Sequence, residues 1–230
     1  MKTEALLFDV FGTVVDWRTS VAEQCAAVLP GSVDSFAFAD RWRSLYQPSM
    51  EQVRCGAREF PRLDVLHLES LRVVLSEFGV DLPESTIVEL NRVWHRLTPW
   101  PDSIDGLTRL KSRFIVAPLS NGNVSLLLDM AKNAGLPWDA ILGAEPVRAY
   151  KPTPESYLRT ADILGLQPHQ CMLVAAHNDD LAAARDCGFD TAFVCRPTEH
   201  GAHQSSNLGP TSDWTYSTGS ISELADRLNC

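Results

Sequence analysis

Apolar runs of strand length alternate with segments of helical period along most of this chain, the pattern of a parallel sheet with crossover helices. The runs Ala5 to Phe8, Phe114 to Leu119, Ala140 to Leu142, Met172 to Ala175 and Thr191 to Cys195 predict strands. Helices are predicted over Val124 to Asn133, Pro154 to Leu164 and Asp179 to Cys187. A glycine stands at the end of each, Gly135, Gly165 and Gly188, as expected of a helix stop. Pro118 conflicts with its strand, because proline cannot donate to a ladder. Between Asp16 and about Trp100 the strand-like runs vanish. There Leu66, Leu68, Leu71, Val74, Leu75 and Phe78 mark one amphipathic helix, and Ile87, Leu90, Val93 and Trp94 mark another. The predicted fold is therefore α/β, a doubly wound parallel (Rossmann-like) core from residues 1–16 and 100–230. Residues 17–99 are predicted to form a helical cap over the carboxyl edge of the sheet, where open α/β folds bind ligands. The stretch from His200 to Asp213, rich in Gly, Ser, Asn and Pro, reads as loop.

Composition narrows the function. The chain has 230 residues, 45% hydrophobic and 21% charged, enough to bury a substantial core. A net charge of −9 leaves no general basic surface, which argues against nucleic acid as a partner. No apolar run reaches the roughly 18 residues needed to span a bilayer, and no cationic apolar leader opens the chain. The six cysteines include no C-x-x-C pair, and Cys171 and Cys195 lie in apolar runs where a free thiol packs as a small hydrophobe. A soluble protein of the reducing cytoplasm is expected.

The candidate chemistry sits where strands are predicted to end. In FDVFGTVVDW, from Phe8 to Trp17, an apolar run stops on Asp9, and a buried carboxylate without partners is costly. Three further stretches deliver polar residues to the same edge: Ser120 with Asn121 and Gly122, Lys151 before Pro152, and His177 through Asp180. Each alone reads equally well as a cap, a turn or a solvated charge.

Together, in the order Asp, Ser/Asn, Lys and Asp, they resemble the haloacid dehalogenase superfamily over nearly the whole chain. Most members of that superfamily are similar to phosphatases with D-x-D-x-T at the first motif, where the second Asp protonates the leaving alkoxide. Here that position is Phe11, which cannot donate a proton; halide leaves as a stable anion and needs none. The resemblance is closest to the L-2-haloacid dehalogenases, through FDVFGT, Trp42 with Arg43, LSNG at 119–122, YKP at 150–152, Tyr157 and the Asp180 region. It implies that Asp9 displaces halide from C2 of a short 2-haloalkanoic acid to give an ester, which water then cleaves. On the matching positions, Thr13, Ser120 and Asn121 supply hydrogen bonds, Val10 and Phe11 line the substrate site, and Lys151 keeps Asp9 ionised. Arg43, preferred to Arg41 on the Trp-Arg match, faces the departing halide. Tyr157 supports the site, and Asp180 orients or deprotonates water. Where the family has a Ser-x-Asn pair this chain has Ala175, Ala176, His177 and Asn178, so either His177 or Asn178 takes the Asn role. The resemblance implies no cofactor or metal, a haloacid and a halide ion as ligands, and a homodimer. Two rivals stay open: a phosphatase holding Mg²⁺ between Asp9, Asp179 and Asp180, and a catalytically silent binder of small anions.

Overall fold

The structure, a computed structural model, describes residues 3–230. Along the chain lie β1 (Ala5–Phe8), β2 (Val15–Asp16), α1 (Trp17–Ala26), α2 (Ser35–Ser44), α3 (Tyr46–Arg54), α4 (Leu63–Glu77) and α5 (Glu84–Asn91). A 3-10 turn at Arg92–Arg96 leads into β3 (Thr98–Pro99), α6 (Ser103–Lys111), β4 (Ile115–Pro118), α7 (Val124–Ala134) and α8 (Ala144–Val147). The remainder is α9 (Pro154–Ile163), β5 (Cys171–Ala175), α10 (Asn178–Asp186), β6 (Asp190–Val194), β7 (Tyr216–Thr218) and α11 (Ile221–Arg227).

The main sheet has five parallel strands in the order β4-β1-β5-β6-β7. The inner strand β1, ALLF, is buried throughout, as a strand covered on both faces must be. Leu6 and Phe8 belong to one apolar cluster and Ala5 and Leu7 to the other, so the two-residue pleat sends alternate side chains into two cores. Phe8 is in register with Pro118 on one side and Val174 on the other, so β1, β4 and β5 end within one residue of one another. That shared ending sets the residues that follow them side by side. Pro118 is tolerated because it is the last residue of an edge strand, paired only with β1.

Helix ends follow the local chemistry. Asp16 and Asp34 accept backbone N–H groups at the starts of α1 and α2, Pro154 opens α9, and Gly135 closes α7 in the left-handed conformation at φ 70°.

Three features depart from the sequence pattern. Ala140 to Leu142 forms no strand. The segment before it is tied to β4 through Asp139 alone, whose N–H donates to the Val116 carbonyl and whose carboxylate accepts the Val116 N–H. Leu142 packs into the core without a ladder, and the chain then turns past Gly143, where a Cβ would lie 2.4 Å from the Gly122 carbonyl oxygen. The second departure is a ribbon: β2 and β3 pair antiparallel, so a pair of short strands closes what the sequence presents as pure helix. Third, β7 and α11 extend the fold beyond the loop at residues 200–213. Between β2 and β3 the helices α1 to α5 cover the carboxyl ends of the strands. Their core runs unbroken from Phe8 through Val10 and Phe11 to Trp17, Trp42 and Trp94.

Candidate active site

A cleft of about 680 Å³ opens between the strand tips and the helices α2 and α3. Asp9, directly after β1, lies at its floor, and its backbone N–H donates to the Val174 carbonyl. Three hydrogen bonds fix its carboxylate. Lys151 Nζ donates to Oδ1 at 2.9 Å, while Thr13 Oγ1 at 2.7 Å and His177 Nδ1 at 3.1 Å donate to Oδ2. Thr13 Oγ1 in turn accepts the Ala176 N–H, which locks the β1 and β5 tips together.

Lys151 bridges two carboxylates, reaching Asp180 Oδ2 at 2.5 Å. The other Asp180 oxygen accepts the Tyr157 hydroxyl at 2.6 Å. The lysine is held by its own backbone, since its N–H donates to Asn121 Oδ1 and its carbonyl accepts Arg54. The peptide between Lys151 and Pro152 is cis. Burial pushes Asp9 up, but the Lys151 ammonium and then His177 outweigh it and hold Asp9 well below the usual carboxylate range. Burial pushes Lys151 down, and Asp180 and Asp9 more than restore it. Asp180 goes the other way, raised by burial and by the Asp9 charge against the pull of the shared ammonium. Of two carboxylates on one cation, the nucleophile candidate keeps the firmer charge.

His177 Nε2 reaches Glu199 at 3.0 and 3.1 Å, and Glu199, 1% exposed, also accepts the Trp17 indole N–H at 3.0 Å. Burial pushes His177 down, but Glu199 and Asp9 raise it well above the ordinary histidine value. Glu199 was invisible in the sequence: it borders a loop and lies 22 residues from His177. One signal did exist. Gly12 has φ 90°, and a Cβ there would lie 2.0 Å from Glu199 Oε1, so the glycine of FDVFGT makes room for this carboxylate. Arg196 secures the same turn, donating to the Thr13 carbonyl while its fork grips Asp102 at 2.7 and 2.9 Å.

The opposite wall is aromatic. Phe11 meets Trp94 and Tyr46 edge to face. The Arg43 guanidinium lies 3.9 Å from the Tyr46 ring centroid and 5.3 Å from that of Trp17. Its buried Nη1 has no partner. Arg41, by contrast, pairs with Glu77 at the surface. Behind this wall the His67 ring packs tilted against Trp94, centroids 4.4 Å apart, with neither ring nitrogen bonded.

Not every expected residue reaches the cleft. Asn178 turns away, donating to Asn207 and Gly209 and accepting from Thr211 and Trp214, so His177 is the one beside Asp9. As the first residue of α10, Asn178 points its side chain at the loop that follows β6. Tyr157 is wholly buried and meets Asp180, not the cavity. Val10 is also wholly buried, packed in the core, while Ser120 accepts the Gly122 N–H and holds its turn. Lys151 arrives on the loop after α8, since no strand precedes it.

The donor set also tests the metal alternative. The oxygens of Asp9 and Asp180 already accept from Lys151, Thr13, His177 and Tyr157, and the ammonium fills the place between the carboxylates. The cation shared by Asp9 and Asp180 is thus the Lys151 ammonium, and among the described residues no group of three or more His, Cys, Asp or Glu side chains is arranged to hold a metal ion.

A family profile for haloacid dehalogenase-like hydrolases matches residues 3–188. A solved defluorinating L-2-haloacid dehalogenase is 55% identical, with a TM-score of 0.97, over 99% of this chain and 96% of its own. The chain belongs to the haloacid dehalogenase-like hydrolases, in the L-2-haloacid dehalogenase family. A second solved L-2-haloacid dehalogenase is 45% identical over 99% of both chains, with a TM-score of 0.96. The (S)-2-haloacid dehalogenase of Xanthobacter autotrophicus is 29% identical over 84% of this chain and 75% of its own. In this member of the family Glu199 lies beyond the matched residues, although it touches the centre of the site.

Proposed function

We propose that this protein is an (S)-2-haloacid dehalogenase that converts short (S)-2-haloalkanoic acids into (R)-2-hydroxyalkanoic acids through an ester on Asp9. The observation that carries the reading is an ionised, triply hydrogen-bonded Asp9 with Phe11, an aromatic ring, where a phosphatase needs an acid. A carboxylate held as an anion attacks C2 from behind the halogen, and the aromatic wall with Arg43 receives the departing halide. At the floor of the cleft Asp9, Asp180 and Glu199 are bridged by Lys151 and His177, and Arg43 and Arg54 add two further cations to the lining.

The test is halide release from L-2-chloropropionate, chloroacetate and fluoroacetate, with and without EDTA. Release that survives chelation, giving D-lactate from L-2-chloropropionate, is the expected result. Phosphate-ester hydrolysis that requires Mg²⁺, with no halide release, would select the phosphatase instead, and silence in both would select an anion binder. A single turnover in H₂¹⁸O then separates two routes that both invert C2. The ester route labels Asp9 first, whereas direct attack of water labels the first lactate and leaves Asp9 unlabelled.

A further inference from the structure

The hydrogen-bonding partners of His177 fix its charge. On one side its Nδ1 meets Asp9 Oδ2, and on the other its Nε2 meets Glu199. Both partners are carboxylates held below their usual range, so both can only accept, and both ring nitrogens carry protons. His177 in the resting protein is an imidazolium and has no lone pair to offer. The charged groups around this chain are few. His200 Nε2 lies 3.6 Å from Glu199, Arg43 acts on Glu199 across the cleft, and Lys151 and Asp180 stand behind Asp9.

Alkylation removes one of the two anions. When Asp9 becomes an ester it no longer holds the Nδ1 proton, while Glu199 still holds Nε2–H. We propose that His177, oriented by Glu199, is the general base that cleaves the Asp9 ester, and that formation of the ester is what frees it. The proposal rests on the covalent route above.

The balance closes as follows. In the first step the Asp9 oxygen bonds to C2 and the carbon–halogen bond breaks, releasing halide. The imidazolium then gives its Nδ1 proton to solvent. Water attacks Cγ of the ester and one of its protons passes to Nδ1; the bond between Cγ and the ester oxygen then breaks, and the second water proton passes from the new carboxyl to the leaving alkoxide oxygen, releasing the hydroxy acid. Asp9 is again a carboxylate and His177 again an imidazolium, with one proton released per turnover. Glu199 is a positioning residue: it fixes the tautomer that aims the Nδ1 lone pair at Asp9, and its charge raises the basicity of that nitrogen. Asp180 is poorly placed for this duty, because its two oxygens accept from Lys151 and Tyr157.

The experiment is rapid-quench mass spectrometry of the full chain with L-2-chloropropionate, comparing wild type with Glu199→Gln, which keeps the shape of the side chain. The variant is expected to alkylate Asp9 within about 10-fold of the wild-type rate while kcat falls about 100-fold, so that the carboxyethyl ester accumulates on Asp9. A fall in kcat without accumulated ester would mean that Glu199 only supports the fold, and an unchanged kcat would overturn the proposal as well. If Glu199→Gln does not fold, His177→Asn is read the same way: accumulated ester supports the assignment, and hydrolysis at the wild-type rate refutes it. Labelling of wild-type Asp9 from H₂¹⁸O keeps the two readings apart. An unlabelled Asp9 sinks the covalent route itself, whereas a labelled Asp9 with no ester in either variant sinks only the role given to His177 and Glu199.

Discussion

The two walls of the cleft use the same residue types in opposite ways. On the strand side the buried charges are paired: Asp9, Lys151, Asp180, His177 and Glu199 form one continuous set of hydrogen bonds. On the helix side the polar atoms of Arg43, His67 and Trp94 include buried donors and acceptors with none. Histidine makes the contrast plain. His177, between two carboxylates, is driven to the charged form, while His67, among aromatic rings, is pushed down to about 3 by burial. One wall is built of ion pairs, and the other is aromatic and holds a buried guanidinium nitrogen with no partner.

The strongest way to break this contrast is at its charged end. Asp9→Asn removes the nucleophile and is expected to lower kcat by at least about 10⁴-fold, measured as halide release. Lys151→Ala is expected to cost about 10²- to 10³-fold in kcat. It also leaves Asp9 and Asp180 buried without their shared cation, so one of them takes up a proton and the pH profile of kcat/KM shifts upward. A near-wild-type rate with an unchanged profile would show that the ammonium is a bystander.

The aromatic wall predicts smaller effects. Arg43→Lys keeps the charge but loses the flat stacking over Tyr46, and kcat/KM should fall about 10-fold, with a larger loss for bromide than for chloride as leaving group. His67→Phe removes two buried nitrogens that have no partner and should raise stability by about 1 kcal/mol in urea unfolding.

The pH dependence carries a sign. Because the His67 value in the folded state lies below its unfolded value of 6.5, the unfolded chain binds the extra proton. The stability tied to this residue is present above pH 6.5 and is lost as the pH falls from there toward 3, and His67→Phe should flatten that slope. His95 gives the opposite sign. It lies between Asp64 at 3.1 Å and Asp129 at 2.8 Å, joining α4 to α7. Burial pushes it down, but the bonds to Asp64 and Asp129 raise it, so its contribution is complete below pH 6.5 and is lost as the pH rises through the raised value. His95→Gln should remove that alkaline loss, the smallest of these effects, and a slope unchanged from wild type would disprove it.

What the sequence disclosed follows the range of the interactions. Strands β1, β4 and β5 are continuous apolar runs, because burial on both faces leaves little room for polar residues, and Gly135 marks a helix end through its own backbone. Ala140 to Leu142 is just as apolar but is buried as a loop, and apolarity alone cannot separate the two cases. The motif residues Asp9, Thr13, Asn121, Lys151 and Asp180 were legible through their order along the chain and the family it resembles, since no one of them stands out alone. The charge partner of His177 was not. Glu199 reaches it only through the return of the chain after β6, a contact that no local spacing encodes. The choice between His177 and Asn178 likewise turned on which side chain faces Asn207, a residue of the same distant loop.

The ribbon of β2 and β3 has a consequence for the way this chain is assembled. Val15 pairs with Pro99 and Asp16 with Thr98, so the polypeptide leaves the sheet and returns to it through a single doorway. Everything from α1 to α5 is, in terms of connectivity, a closed loop whose two ends are already tied together. Such a loop can be lengthened, shortened or exchanged between relatives without rethreading a single strand of the sheet. The helical half of the cleft can thus change as a cassette, while the half built on the strand tips, with Asp9, Lys151 and Asp180, stays as it is.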